Sequence, residues 1–451
     1  MSNILTKNFK SQNVYLFILC LTPISFVTGS LMANVFTVFL FLICLAYGQK
    51  KIFVDFFKKY KNIIIVFLLI SSLNIIYSET FFYSLTKLTS FFRFFIFSLS
   101  IIVILDLSLK NIPIYSKIYL GFIIFLVLDS YIQLFVGYDI FGFPYNYDYA
   151  RLTGPFKDEM IIGNYLLYFG FLSIALINYF YKLNNFYNFF LFFLISITVL
   201  ISGERTPFIS LIYFFSILFI FSSKKKFIFL TSCLIFFISF VVINYSDRLS
   251  EKYKITSMLL KIADIESKTV RPKASENSTS QKFIKQDLNF SSELSNLIKS
   301  NQYTGHYSRA IEIFQSNYIF GTGFKSYRKI CGSYETLKQP NQYGTDENRR
   351  LTCSIHPHNY HLEILADTGL TGYLAFLFFI IYIFFIFFKK SLYKNFPSCI
   401  LFTLIITYIF PFKPSGSFFS TNSAFIFWFI IGHFFYFSNL IDYDSDPLKK
   451  F

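Results

Sequence analysis

The chain has 451 residues, of which 54% are apolar and only 15% charged, whereas soluble domains carry about 25% charged residues. Its 66 Phe, 33 Tyr and 1 Trp are more rings than one or two water-soluble cores could bury, which excludes the soluble classes. The formal charge of +16 comes with no nucleic-acid motif and no basic groove interleaved with aromatics; Lys and Arg in the cytoplasmic loops of a membrane protein explain it better.

The apolar residues fall in runs rather than alternating with charge, and a helix needs about 17–25 of them to cross the hydrocarbon. The runs predict an all-α polytopic membrane protein with about 12 transmembrane helices, at residues 14–29, 31–47, 62–77, 84–106, 117–137, 162–181, 186–202, 205–222, 226–245, 369–388, 397–412 and 422–440. The first has the basic start, apolar run and small residues (Gly29, Ser30) of a signal peptide. Its immediate continuation into further spans favours an uncleaved anchor. With the N-terminus inside, the inner segments carry 18 positive charges, from Lys7 and Lys10 to Lys449 and Lys450. The short outer segments carry 5, namely Lys87, Arg151, Lys157, Arg205 and Lys413. Both termini are therefore expected in the cytoplasm.

The chain divides into residues 1–245 (nine helices), a large outer loop at 246–368 between spans nine and ten, helices at 369–440, and a cytoplasmic tail at 441–451. The loop holds 17 Lys and Arg against 13 Asp and Glu. Its middle, 268–300, is rich in Ser, Asn and Lys and reads as flexible. Cys20, Cys44, Cys233 and Cys399 fall in spans, whereas Cys331 and Cys353 fall in the loop. On an oxidising side these two could form a bridge worth about 3 kcal/mol; two free thiols are the alternative.

Every inner positive charge is Lys, while all nine Arg (93, 151, 205, 248, 271, 309, 328, 349 and 350) lie in a span or outside. Topology needs only charge. Arg adds a planar fork that grips phosphate or carboxylate at two points, so this sorting points to an outer site for an anion; a small-number accident is the plainer reading. Arg205 follows Ser202-Gly203-Glu204 and precedes Thr206-Pro207. Pro207 suits a first helical turn, whose free N–H groups would favour an anion beside Arg205; a simple ion pair with Glu204 is the rival. Arg93 and Asp129 lie about 13 and 12 Å inside spans four and five. Buried intramembrane charges normally pair, so the two are expected to neutralise one another as a structural element, with Gln133 one turn further out.

Four of the five His lie in the loop: His306, His356, His358 and His361. Three readings stay open. Imidazoles bind metal, but Pro357 limits the geometry and no acidic ligand set accompanies them. The cluster could be purely structural. Or a neutral His could take a proton from a sugar hydroxyl, since the cluster reaches the membrane on the side of Arg205.

Taken together these residues resemble the bacterial O-antigen ligase and polymerase family of membrane glycosyltransferases. Ten residues separate His358 from Gly369, as in the family's H-x10-G motif, within His358-Asn359, Leu362, Asp367-Thr368-Gly369 and Gly372. Arg309 through Ile313, ahead of Ile319-Phe320-Gly321-Thr322-Gly323, resembles the R-x3-L region, with Ile313 in place of Leu. Ser202-Gly203-Glu204-Arg205 is similar to the small-residue–Arg element, and Arg151 to Phe156 with Gly163-Asn164-Tyr165-Leu166 to another recurring block.

The resemblance implies a GT-C-like, metal-independent inverting glycosyltransferase of the cell inner membrane with a periplasmic loop. Arg205 and Arg309 would hold the undecaprenyl diphosphate of the donor, and His358 would activate the acceptor hydroxyl. Arg151, Lys157 and Asn359 would contact substrate, and Gly369 would be structural. No cofactor is implied beyond the lipid-linked donor. The acceptor would be lipid A–core for a ligase, favoured by the H-x10-G spacing, or a second lipid-linked glycan for a polymerase; a protein O-glycosyltransferase belongs to the same family. Rivals from other classes are a transporter or flippase, which would need a mid-membrane path with broken, repeated helices, and a non-catalytic sensor with a zinc-binding loop.

Overall fold

The computed structural model describes residues 2–47, 50–157, 159–246, 249, 303–333 and 353–440. Arg248, Arg271, Arg349, Arg350 and the Ser/Asn/Lys-rich stretch 268–300 lie outside the described residues. The described chain is helical, with no strand and only two isolated bridges, Tyr138 to Pro144 and Asn146 to Arg151.

Five helices open the chain: α1 (Ser2–Val27), α2 (Ser30–Tyr47), α3 (Lys50–Ile76), α4 (Phe81–Leu107) and α5 (Ile112–Val136). After a folded connection, α6 (Ile162–Tyr165) passes through a π-helical turn at Leu166–Gly170 into α7 (Phe171–Tyr181). Then come α8 (Asn185–Ile201), α9 (Arg205–Phe221) and α10 (Lys225–Tyr245). Two short helices, α11 (Thr304–Ser316) and α12 (Tyr327–Ser333), precede α13 (Tyr360–Lys389), α14 (Phe396–Tyr408) and α15 (Thr421–Leu440). Among the described residues 6 helical segments are long and apolar enough to cross a membrane, and shorter apolar helices occupy the remaining expected runs. The fold is that of a membrane protein.

Local chemistry sets the ends of these helices. Asn184, Asn359 and Asn395 cap α8, α13 and α14, each side chain accepting a first-turn N–H and so satisfying donors that the helix itself cannot. α5 stops at Gly137, which is left-handed (φ 90°). Because Asn359 is a cap, α13 starts at Tyr360, before the run expected to begin at 369.

Lipid tails are as apolar as Leu, so packing rather than hydrophobicity must hold such helices together, and the many rings serve this. Phe97 of α4 stacks on Phe425 of α15 at 4.7 Å. Phe171 of α7 stacks on Phe214 of α9 at 4.3 Å, and Phe387 of α13 on Phe402 of α14 at 3.9 Å. Each such pair contributes about 0.5–1.5 kcal/mol beyond its area.

One backbone crossing fixes one end of this bundle. α13 breaks at Gly369 (φ 65°, ψ −167°), a region open essentially to Gly alone. There it crosses the segment 318–323, where Gly321 also has positive φ (72°). Leu370 N–H donates to the Tyr318 carbonyl (2.8 Å), Thr322 N–H to Ala366 (3.2 Å) and Gly323 N–H to Asp367 (2.9 Å). A Cβ on Gly369 would lie 2.4 Å from the Gly321 nitrogen, and one on Gly321 would lie 2.4 Å from the Gly369 nitrogen. The α3–α4 hairpin grips the same crossing. Asn74 donates to the Asp367 carbonyl (3.0 Å), Glu79 N–H to Thr322 (3.2 Å), and Tyr77 stacks on Phe320 at 4.4 Å.

Gly369→Ala and Gly321→Ala should therefore each cost about 2–3 kcal/mol or more, read as a lower melting temperature of the purified protein. Gly121→Ala, which has open space around its Cβ position, should change little.

Candidate functional site

Three sequence blocks that lie far apart in the chain converge beside the start of α9. Leu152 N–H donates to the Ser202 carbonyl (3.1 Å). Gly203 has φ +74°, and a Cβ there would lie 2.2 Å from the Ala150 carbonyl oxygen. The Glu204 carboxylate turns back to accept the Gly163 N–H at 2.5 Å and also meets the N–H of Asn164 and the charge of Arg151. A Cβ on Gly163 would collide with Ser202 Oγ (2.2 Å). Glu204 thus anchors the start of α6 rather than serving Arg205. Burial outweighs these partners and pushes its carboxyl up to about 8.

Arg205 is exposed and is the first residue of α9, where the helix N-terminus favours an anion. Arg151 is half-buried, and its Nε is buried with no hydrogen-bond partner. Lys157 is exposed at a positive-φ turn in the same connection. Gln133 shapes this connection by accepting the N–H groups of Thr153 (3.0 Å) and Gly154 (2.9 Å) and donating to Phe143 (3.0 Å).

The expected Arg93–Asp129 pair is not formed. Asp129 accepts the Ile140 N–H (2.8 Å), because the connection after α5 folds back over it. Arg93 reaches Thr421 Oγ1 (3.4 Å) and lies over the Phe94 ring.

The histidines separate by environment. His361 has both ring nitrogens engaged, with Tyr373 Oη at 3.0 Å and the Ile409 carbonyl at 2.6 Å; it is a packing residue. His306, His356 and His358 gather, with ring centroids 4.2 Å apart for His356–His358 and 5.2 Å for His306–His358. Among the described residues no group of three His, Cys, Asp or Glu converges as metal ligands. Burial, then the neighbouring His306, pulls His358 down to about 4; burial and the charges around it do the same to His356. Both imidazoles are neutral at pH 7 and able to accept a proton. His358 is left-handed (φ 56°), held by Ser415 N–H on its carbonyl at 2.8 Å.

Two assigned roles change. Asn359, expected to touch substrate, is buried, accepts the N–H groups of His361 and Leu362, and donates to the Pro411 carbonyl (2.7 Å); its oxygen is taken up by capping. Arg309, expected at the donor diphosphate, is fully buried, ion-paired with Glu312 on its own helix, and near enough to Tyr327 to act on it electrostatically, while its helix neighbours Ala310 and Ile313 pack in a small core with Tyr327 and Cys331. Cys331 and Cys353 are disulfide-bonded, with Cα atoms 5.7 Å apart, which ties α12 to the strand of chain leading into the histidines.

The connection between α14 and α15 joins the two clusters. Phe412 accepts Tyr213 Oη of α9 (2.8 Å), Pro411 holds Asn359, and Ser415 holds His358. Between these contacts sits Lys413, buried, with Nζ donating to Tyr168 Oη (2.8 Å) and Ser210 Oγ (3.4 Å). Burial lowers its ammonium to about 7. The sequence reading counted Lys413 only as an outer charge; its flanking prolines in Pro411-Phe412-Lys413-Pro414 were the available signal. Tyr168 reaches it from the π-helical turn, a distortion common at functional sites.

Residues 190–377 match the family model for O-antigen ligase. This stretch contains Arg205, Arg309, His358 and Gly369, and it is an O-antigen ligase family domain in agreement with the motifs. No curated protein matches the chain.

Raised from an unfolded value near 4.5 to about 8, Glu204 contributes stability that is fully present below about pH 4.5 and is lost as pH rises through 8. Glu204→Gln should therefore gain on the wild type across that window, by up to about 1.4 kcal/mol per pH unit, in melting curves recorded from pH 4 to 9. A constant difference would show that the Glu204 pKa is the same folded and unfolded.

Proposed function

We propose that this chain, with its O-antigen ligase family domain, is a glycosyltransferase that moves a glycan from undecaprenyl diphosphate to an acceptor hydroxyl on the periplasmic face of the inner membrane. The single observation that carries the reading is that one short connection, 409–415, holds both the helix headed by Arg205 and the backbone of His358. It supports a site in which a base and an anion-binding helix start face one substrate pair. The expected topology of about 12 spans with both termini inside belongs to the same proposal.

In the proposed step His358, neutral at pH 7, takes the proton of the acceptor hydroxyl. The oxygen attacks the anomeric carbon of the donor sugar from the face opposite the diphosphate. A new C–O bond forms as the bond to the diphosphate oxygen breaks, so configuration inverts. The charge that develops on the leaving diphosphate is met by Arg205, the N-terminus of α9 and, in a water-poor setting, Lys413. Arg151 and Lys157 lie on the path of the donor glycan. Arg309 acts as a positioning residue that braces α11 and hence His306. Charge is handled by side chains alone, which makes the transfer metal-independent.

A ligase is the preferred reading, with lipid A–core as acceptor; a polymerase joining lipid-linked repeat units uses the same parts. The lipopolysaccharide of a deletion strain separates them. Naked core identifies a ligase, and core capped by one repeat identifies a polymerase.

His358→Ala and Arg205→Ala should each reduce transfer by about 10²-fold or more in protein that still inserts and melts normally; wild-type glycan profiles in both would sink the assigned roles. Transfer should be flat from neutral pH down to about 5 and fall below it, as protonation through the lowered His358 pKa of about 4 removes the base.

A further inference from the structure

A second feature is built from helices other than those that carry the Arg205 blocks. An apolar groove of about 300 Å³ runs between α3, α4, α13 and α15, lined by Phe67, Phe92, Phe95, Ala375, Phe379 and Trp428 among others. Phe67 and Phe378 are exposed at its lip, so it opens sideways toward the hydrocarbon. Such a groove alone would say little, because any membrane helix pair offers lipid a surface.

The groove has a charged mouth. Tyr83, Lys87, Phe91 and Phe95 follow one another at i, i+4 along one face of α4, so the stripe is cationic at its outer end and apolar below. Lys87 and Lys329 both lie over the Tyr83 ring, at 5.1 and 5.6 Å, and Arg328 hydrogen-bonds Tyr83. Lys325 Nζ donates to the carbonyl of Phe419 (3.0 Å), a groove residue. Phe324, next in chain, packs between Phe91 (5.4 Å) and Phe419 (4.3 Å). Three cations thus stand around one ring, Lys325 lies near enough to Lys87 and Arg328 to feel both, and none of the four has an ion pair to a carboxylate among the described residues. The buried Glu363 and Asp367 do act on Lys325 at longer range, but their carboxylates are engaged with Ser417 and Phe418 N–H and with Tyr327 N–H. Glu363 acts on Arg328 as well, but four cations outnumber these two engaged carboxylates and repel one another, and an anion brought to them relieves that repulsion. Lys325 and Arg328 are also near enough to His356 to act on it electrostatically, so the mouth borders the histidine cluster.

We infer that the groove and its mouth form a binding site for a membrane lipid whose phosphate headgroup is net anionic, its phosphate among Lys87, Lys325, Arg328 and Lys329 and a chain in the groove. That lipid is the anchor of the acceptor, held beside His358. The role as acceptor rests on the transfer reading of the preceding subsection; the binding does not.

The test uses full-length protein in nanodiscs of equimolar phosphatidylglycerol and phosphatidylcholine, released and weighed by native mass spectrometry. Wild type should retain phosphatidylglycerol in several-fold excess. Lys87→Gln combined with Arg328→Gln should bring the ratio close to one, and Ala375→Trp, which fills the groove, should remove both lipids. Equal retention by wild type, an unchanged preference in the double variant, or displacement by millimolar inorganic phosphate would each overturn the site. In a transfer assay the double variant should raise KM for the acceptor several-fold with kcat little changed; an unchanged KM alongside lost lipid preference would overturn the acceptor role. His358→Ala should lose kcat and keep the lipid preference, so failure of the transfer reading is visible separately.

Discussion

The structure depends on two peptide backbones passing at contact distance. At Gly321 and Gly369 the outer segment and the broken helix α13 approach so closely that neither position has room for a Cβ. The crossing closes a ring of main-chain hydrogen bonds that side chains alone could not make in so small a space. It stops the helix from running straight into the membrane and sets the nine-residue stretch before Gly369 at its own angle. His358 and its cap Asn359 sit at the head of that stretch. The spacing of ten residues between His358 and Gly369 is thus a length of helix plus its cap, measured from a fixed pivot.

Around this pivot, buried polar groups do organising work that charge counting would assign to substrate. Asp129 and Gln133 hold the connection after α5. Glu204 holds the start of α6, and Glu363 holds the connection before α15 through Ser417 and Phe418. Each carboxylate or amide satisfies backbone N–H groups that would otherwise be costly at or below the membrane surface. The groups that the proposed transfer assigns to its substrates are fewer: Arg205, Arg151, the paired imidazoles of His356 and His358, and Lys413.

Much of this could be read in advance. Apolar runs gave the helices because, in lipid, only a helix satisfies its own backbone. The approximate ends followed from Gly, Pro and Asn. The motif glycines were legible as glycines, since nothing else accounts for them. Side-chain partners were not. Arg93 and Asp129 lie at similar depth on adjacent spans, yet depth says nothing about azimuth, and the α5 connection reached Asp129 first. Asn359 beside His358 looked like a substrate contact until its hydrogen bonds showed a helix cap. Arg309 looked like an anion fork until its burial against Glu312 and Tyr327 was visible. Lys413 was invisible as a site because its burial comes from α7 and α9, more than two hundred residues away in the chain.

The sequence by itself determined that the chain is helical and that its helices are those of a membrane protein. Composition and periodicity are local properties, and the bilayer reads them locally. The tertiary structure alone decided which charges pair, which His keeps a free nitrogen, and that Arg205 and His358 share one supporting connection. Those outcomes turn on the rotation of each helix about its axis and on how loops fold back, and both are settled by packing between segments remote in the chain.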